Sequence, residues 1–196
     1  MRSLIIALSC LCVLVSACGG GSGSESGPLV DNSLWEITDE GEEFFGTPPP
    51  DSECPPPSET CPVPGEEFCP DLAIDCVAGY TPECLTGIEV LAVYSEVCPW
   101  VTLKQNTLID IKEGDQVEVR IFHFLLTAPR DSVAQVRVVI GDVLALEEDI
   151  LIPASGGGRD NGEWFAPKDI PAGSPIYYHV NNHGRNEYAL VEINVL

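Results

Sequence analysis

From Gly87 to Leu196 the chain is a succession of short runs rich in Val, Ile, Leu, Tyr and Phe, with turn-forming residues between them. No run sustains helical periodicity with helix-forming residues, so the strand is the unit that these roughly 110 residues must assemble. The runs are IEVLAVYS, WVTL, TLIDI, QVEVRIFHFLL, VAQVRVVI, DILI, EWFA, PIYYHV and EYALVEINVL. Glu113-Gly114-Asp115, Gly141-Asp142, Gly156 to Gly162, Pro171-Ala172-Gly173 and Asn181 to Asn186 supply the turns. Val117, Val119 and Ile121 alternate with Glu118 and Arg120, the pattern of a strand with one face on a core. Many short strands at regular spacing form a sandwich or a barrel, and the length suits one sandwich core. The expected fold is all-β, an antiparallel β-sandwich of jelly-roll or immunoglobulin-like type over residues 87–196.

The preceding residues have a different texture. Ten of the seventeen prolines fall in 28–70, including Pro48-Pro49-Pro50 and Pro55-Pro56-Pro57, and such runs favour a semi-rigid polyproline spacer. No Lys or Arg occurs from Gly19 to Leu103, a stretch with 17 acids, whereas 14 acids and 8 bases follow from Lys104 onward. Uncompensated negative charge keeps a segment solvated and opposes nucleic acid, so no nucleic-acid partner is expected. Residues 34–86 therefore read as an acidic, Pro- and Cys-rich stalk. Leu34-Trp35-Glu36-Ile37 and Phe44-Phe45 interrupt it, and Trp35, Phe44 and Phe45 are expected to dock on the folded domain or on a partner. No D-x-[DN]-x-[DN]-G loop turns the acids into a calcium site.

Six cysteines, Cys54, Cys61, Cys69, Cys76, Cys84 and Cys98, lie in and beside this stalk. Their even number suits three disulfides in an exported protein. Zinc is the rival, but no C-x-x-C pair or neighbouring histidine is present. Cys98 adjoins the β region, so one bridge is expected to staple stalk to sandwich.

Arg2, the apolar run Leu4 to Val15 and the small residues Ser16 and Ala17 have the layout of a secretory signal. The run is too short to span a bilayer, which needs roughly 20 apolar residues. Val15-Ser16-Ala17-Cys18 resembles the lipobox of bacterial lipoproteins; Cys10 and Cys12 are poorer matches, one too early in the apolar run and one preceded by bulky Leu11. The resemblance implies removal of residues 1–17, lipidation of Cys18 and a membrane partner reached through the lipid. It also implies outer-membrane or cell-surface localisation, because Gly19 is not the aspartate that marks inner-membrane retention. Acyl chains anchor through buried methylenes at about 0.8 kcal/mol each. Residues 18–33, rich in Gly and Ser, would be the flexible tether, with an end-to-end distance of roughly 20 Å.

The ending IPAGSPIYYHVNNHGRNEYALVEINVL resembles the last hairpin of extracellular jelly-roll and carbohydrate-binding-like sandwiches, which implies the fold and no particular activity. Trp164, Phe165, Tyr177, Tyr178 and Tyr188 cluster in the last strands. Alternation sends Tyr177 and Tyr178 to opposite faces, so one should point outward, where a flat ring can stack on a sugar; core packing is the plainer use of Trp164, Tyr177, Tyr178 and Tyr188.

His123, His179 and His183 are the only histidines, and a shared metal can be drawn from them. HVNNH lacks the intervening glutamate and helical setting of a zinc motif, however, and His123 follows the alternation of Val119 and Ile121, as a core histidine would. A blue-copper site fails for want of any cysteine after Cys98 or any methionine after Met1. The loop SGGGRDNGEW could offer Asp160, Asn161 and Glu163 to a cation, though glycine-rich loops are commonly plain connections. G-x-S-x-G, P-loop and dinucleotide motifs are missing. The sequence thus points to a surface-displayed, non-enzymatic lipoprotein without catalytic residues, resident metal or cofactor, whose β-sandwich is a binding or structural domain, with carbohydrate or a partner protein as the ligand in the binding case. The alternative is a secreted enzyme or metal-dependent accessory domain using His179, His183 and Asp160.

Overall fold

The computed structural model describes residues 26–46, 76–128, 131–154, 158–182 and 186–196, with the backbone alone for 158–161. Among these residues eleven strands and one short helix follow in chain order: β1 Gly27–Pro28, β2 Glu36–Ile37, α1 Glu42–Phe45, β3 Tyr80–Leu85, β4 Ile88–Tyr94 and β5 Trp100–Asn106. They continue with β6 Gln116–His123, β7 Ser132–Ile140, β8 Val143–Ile152, β9 Gly158–Phe165, β10 Pro175–Asn181 and β11 Glu187–Val195. Two antiparallel sheets result. Sheet A has the order β3-β4-β11-β6-β9, with β1 also paired to β11, and sheet B has the order β2-β5-β10-β7-β8.

The pairings β4·β11, β5·β10, β6·β9 and β7·β8 nest inside one another along the chain. This is a long antiparallel ribbon folded over on itself, the connectivity of a jelly roll, which selects that arm of the expected fold class. Strict alternation drives the inner faces together. Val117, Val119 and Ile121 of β6 meet Val136, Val138 and Ile140 of β7 and Ile176, Tyr178 and Val180 of β10 in one buried core.

The sandwich begins well before Gly87. Residues 26–46 form a strap that crosses from sheet A, through β1, to sheet B, through β2. Leu29 and Trp35 are buried in the inter-sheet core, so the stretch expected to be tether and stalk is partly structural. Asn32 fixes the crossing: its amide nitrogen donates to the carbonyls of Glu89 and Val191, beside a bulge in β11, and its oxygen accepts from the Trp35 indole. Backbone carbonyls freed by a bulge need such a donor when buried. Strand β3 likewise joins the sheet from within the expected stalk.

Two further expectations are corrected. TLIDI is an irregular connection with a single bridge, Ile111 to Ile170, and the described part of the glycine-rich segment before Glu163, from Gly158 onward, belongs to strand β9. A Cβ at Gly162 would lie 2.6 Å from Leu146 Cδ1, so glycine there lets β9 close against β8.

Candidate functional site

Strand β10 separates inside from outside. Tyr178 and Val180 enter the inter-sheet core, while Tyr177, His179 and Asn181 project from the outer face of sheet B. Register places three rows across that face. Lys104, Tyr177 and Val139 form one; Thr102, His179, Arg137 and Glu147 a second; Trp100, Asn181, Gln135 and Asp149 a third.

The strap covers the first row and part of the second. Phe45 stacks flat on His179, with centroids 4.6 Å apart and planes at 9°, and meets Tyr177 edge-on. Glu40 pairs with Lys104 and accepts a hydrogen bond from the Tyr177 hydroxyl at 3.0 Å. These two donors hold the Glu40 carboxyl below the usual carboxylate range. His179 is fully buried, with Nδ1 2.9 Å from the Thr102 hydroxyl and Nε2 without a hydrogen-bond partner among the described residues. Burial, aided by nearby Arg137, pushes its pKa down to about 4, so the ring is neutral at pH 7.

Among the described residues the strap leaves the third row partly accessible, with Trp100 packed at the edge of the Phe45 and Tyr177 cluster. Trp100 is half-buried and rests edge-on against His179, with centroids 4.6 Å apart. Asn181 and Gln135 are half-buried, and the Asn181 amide donates to Gln135 Oε1 at 3.2 Å. Asp149 is exposed at the far end. Beside them, Arg137 donates through Nε to Glu147 at 3.0 Å and is ion-paired with it through a terminal nitrogen at 2.9 Å. A partly buried indole flanked by two amides and a carboxylate can stack its accessible part on a sugar ring while the polar groups hydrogen-bond the hydroxyls.

The residues singled out from sequence scatter over this frame. Tyr178 and Tyr188 are buried between the sheets and Trp164 is packed against the same core, so none of the three is a stacking platform. Tyr177 faces outward as alternation required, but α1 covers it. The expected docking of Trp35, Phe44 and Phe45 is onto the chain's own sandwich.

His123 points into the sandwich from sheet A, and its Nδ1 lies 2.8 Å from the Phe124 carbonyl. His179 lies on the outer side of sheet B, so a metal shared by His123, His179 and His183 is overturned; His183 itself lies outside the described residues. Asp160 pairs with Ile121 along β9, in a strand rather than in a binding loop.

Cys76 and Cys98 form a disulfide with Cα atoms 4.7 Å apart, the staple expected between stalk and sandwich. Glycine at 79 permits it, since a Cβ there would lie 2.6 Å from Cys98 Cβ. Cys84, expected in a bridge, is exposed at the sheet edge and has no disulfide partner among the described residues. Cys54, Cys61, Cys69 and Cys18 lie outside the described residues.

The asparagines of VNNHGRN also find a use. Asn186 donates to the Thr127 carbonyl and to Asn182 Oδ1, and accepts from the Thr127 amide. Ser95 donates to Asn182 Oδ1 as well, closing a buried network at the base of the hairpin. Sequence reading missed Trp100, Gln135, Asn181 and Asp149. The alternation of QVRV marks Gln135 as outward, but only the register reveals its neighbours.

No family model and no curated protein matches this chain. Among solved structures it is similar to an arabinose-bound GH51 α-L-arabinofuranosidase, with 10% identity and a TM-score of 0.39 over 61% of this chain and 23% of that one. It is also similar to a cyclase from Fischerella sp., with 11% identity and a TM-score of 0.38 over 55% of this chain and 63% of that one. The catalytic domain of a GH87 α-1,3-glucanase follows, with 8% identity and a TM-score of 0.32 over 55% and 22% of the respective chains. The chain thus spans less than two thirds of each of these proteins, and likenesses this weak say nothing about its ligand or activity.

Proposed function

We propose that this chain is a lipid-anchored, non-enzymatic binding protein of the bacterial cell surface that holds carbohydrate on the outer face of sheet B. The anchor rests on the Val15-Ser16-Ala17-Cys18 motif, with Cys18 as the lipidated residue. The binding role rests on one observation: the row of Trp100, Asn181, Gln135 and Asp149, left open beside the strap. Stacking and amide hydrogen bonds act together on a sugar, which presents C–H faces and hydroxyl edges at once.

Two experiments test the two halves. Mass spectrometry of the mature N-terminus should find acylated Cys18, and Cys18→Ser should move the protein from the membrane to the soluble fraction; cleavage elsewhere would contradict the anchor. On a glycan array, the full mature protein should retain at least one glycan and Trp100→Ala should lose it. An array with no retained glycan would contradict the binding role.

A further inference from the structure

Resting on the carbohydrate-binding face described above, we infer that the ligand is an uncharged, polyhydroxylated sugar chain lying across the strands from Trp100 to Asp149. The four side chains of the open row stand on four consecutive strands, β5, β10, β7 and β8, in direct register. Neighbouring strands are about 4.8 Å apart, so the row extends about 14 Å across the sheet. That length fits a short oligosaccharide segment better than a single ring, and it fixes the direction of the chain as perpendicular to the strands.

The chemistry of the row selects the class. Trp100 offers an uncharged π-face. The bond from Asn181 Nδ2 to Gln135 Oε1 orients both amides, so that Asn181 Oδ1 remains as an acceptor and Gln135 Nε2 as a donor toward an incoming group. Asp149 closes the row with an acceptor-only carboxylate, suited to adjacent hydroxyl donors.

The cations bordering the row are already engaged. Arg137 is held by Glu147, Lys104 by Glu40, and His179 is neutral beneath Phe45. A uronate or sulfated chain would therefore find no free cation among these side chains. It would meet Asp149 instead, on a protein with a formal charge of −22. A polycation has only this one carboxylate of the row to meet, whereas a neutral polyol meets every member of it.

The test is affinity electrophoresis of the full-length protein in detergent through gels with neutral glucan, mannan or xylan, with polygalacturonate, or with chitosan, at low and high salt. At least one neutral polymer should retard the protein equally at both salt concentrations. Trp100→Ala and Asn181→Ala should each weaken that retention by about tenfold or more, and Asp149→Ala by several-fold. Arg120→Ala, on the opposite sheet, should leave it unchanged. Retardation chiefly by polygalacturonate or chitosan, fading with salt, would overturn the neutral class while leaving the carbohydrate face standing. Retention by a neutral polymer that survives both Asn181→Ala and Asp149→Ala would overturn the row. No retention by any polymer would overturn the class and the carbohydrate face together.

Discussion

The outer faces of the two sheets obey the same alternation and are put to different uses. On sheet A the exposed polar groups satisfy one another: Arg120 donates to both oxygens of Glu118 at 2.9 Å and pairs with Glu192, and the Tyr94 hydroxyl donates to Glu83. Between them Val90, Ala92 and Ala189 are buried, so the polar groups of that face are engaged with one another and its exposed ring is the apolar Phe165. On sheet B the strap closes one half through Phe45, Glu40 and their partners, while the other half keeps an indole and two amides available. Burial dictates the inner faces of a sandwich. The outer faces differ in how much hydrogen-bonding capacity they leave free, and function is to be sought there.

The contrast can be broken or sharpened by substitution, beginning with the largest effect. Phe45→Ala removes a ring that is 7% exposed and should destabilise the protein by about 3–4 kcal/mol in urea unfolding. A loss under about 1 kcal/mol would mean that the strap does not cover sheet B in solution. The next effect is one of pH. His179 has a folded pKa of about 4 against an ordinary 6.5, so below pH 6.5 the unfolded chain takes up a proton that the folded chain refuses. Stability should therefore fall between pH 6.5 and 4, by about 3 kcal/mol at the limit. Glu187, whose carboxyl burial pushes up, acts in the opposite sense as the pH falls toward 4.5. His179→Gln should flatten the decline, and an unchanged slope in that variant would contradict a buried neutral imidazole. The smallest effect belongs to sheet A. Arg120→Ala breaks partly exposed ion pairs and should cost about 1 kcal/mol, read as a shift in the unfolding midpoint.

Strands with clean alternation were legible in the sequence, as β6 and β10 show, and so was the divergence of Tyr177 and Tyr178. The jelly-roll order was not, because pairing β4 with β11 is a choice among distant partners that local pattern does not encode. The strap was hidden for another reason. Strands of two residues have no period, and Leu29 and Trp35 are single apolar anchors in polar surroundings. Strand β9 was hidden by GRDNG, a composition of turns that sheet pairing with β6 overrides. The open row escaped because Trp100 and Asn181 stand at the ends of their strands, where sequence alone does not separate strand from loop.

Whether ligand meets the outer face of sheet B at Trp100 is read directly from the three indole N–H resonances of Trp35, Trp100 and Trp164. Titrating the protein with the neutral glycan that it retains should shift the Trp100 signal and leave in place that of Trp35, a strap residue buried in the inter-sheet core. The Trp164 signal, from a ring packed against the inter-sheet core, should also stay. A Trp100 resonance that does not move at saturation would contradict the account.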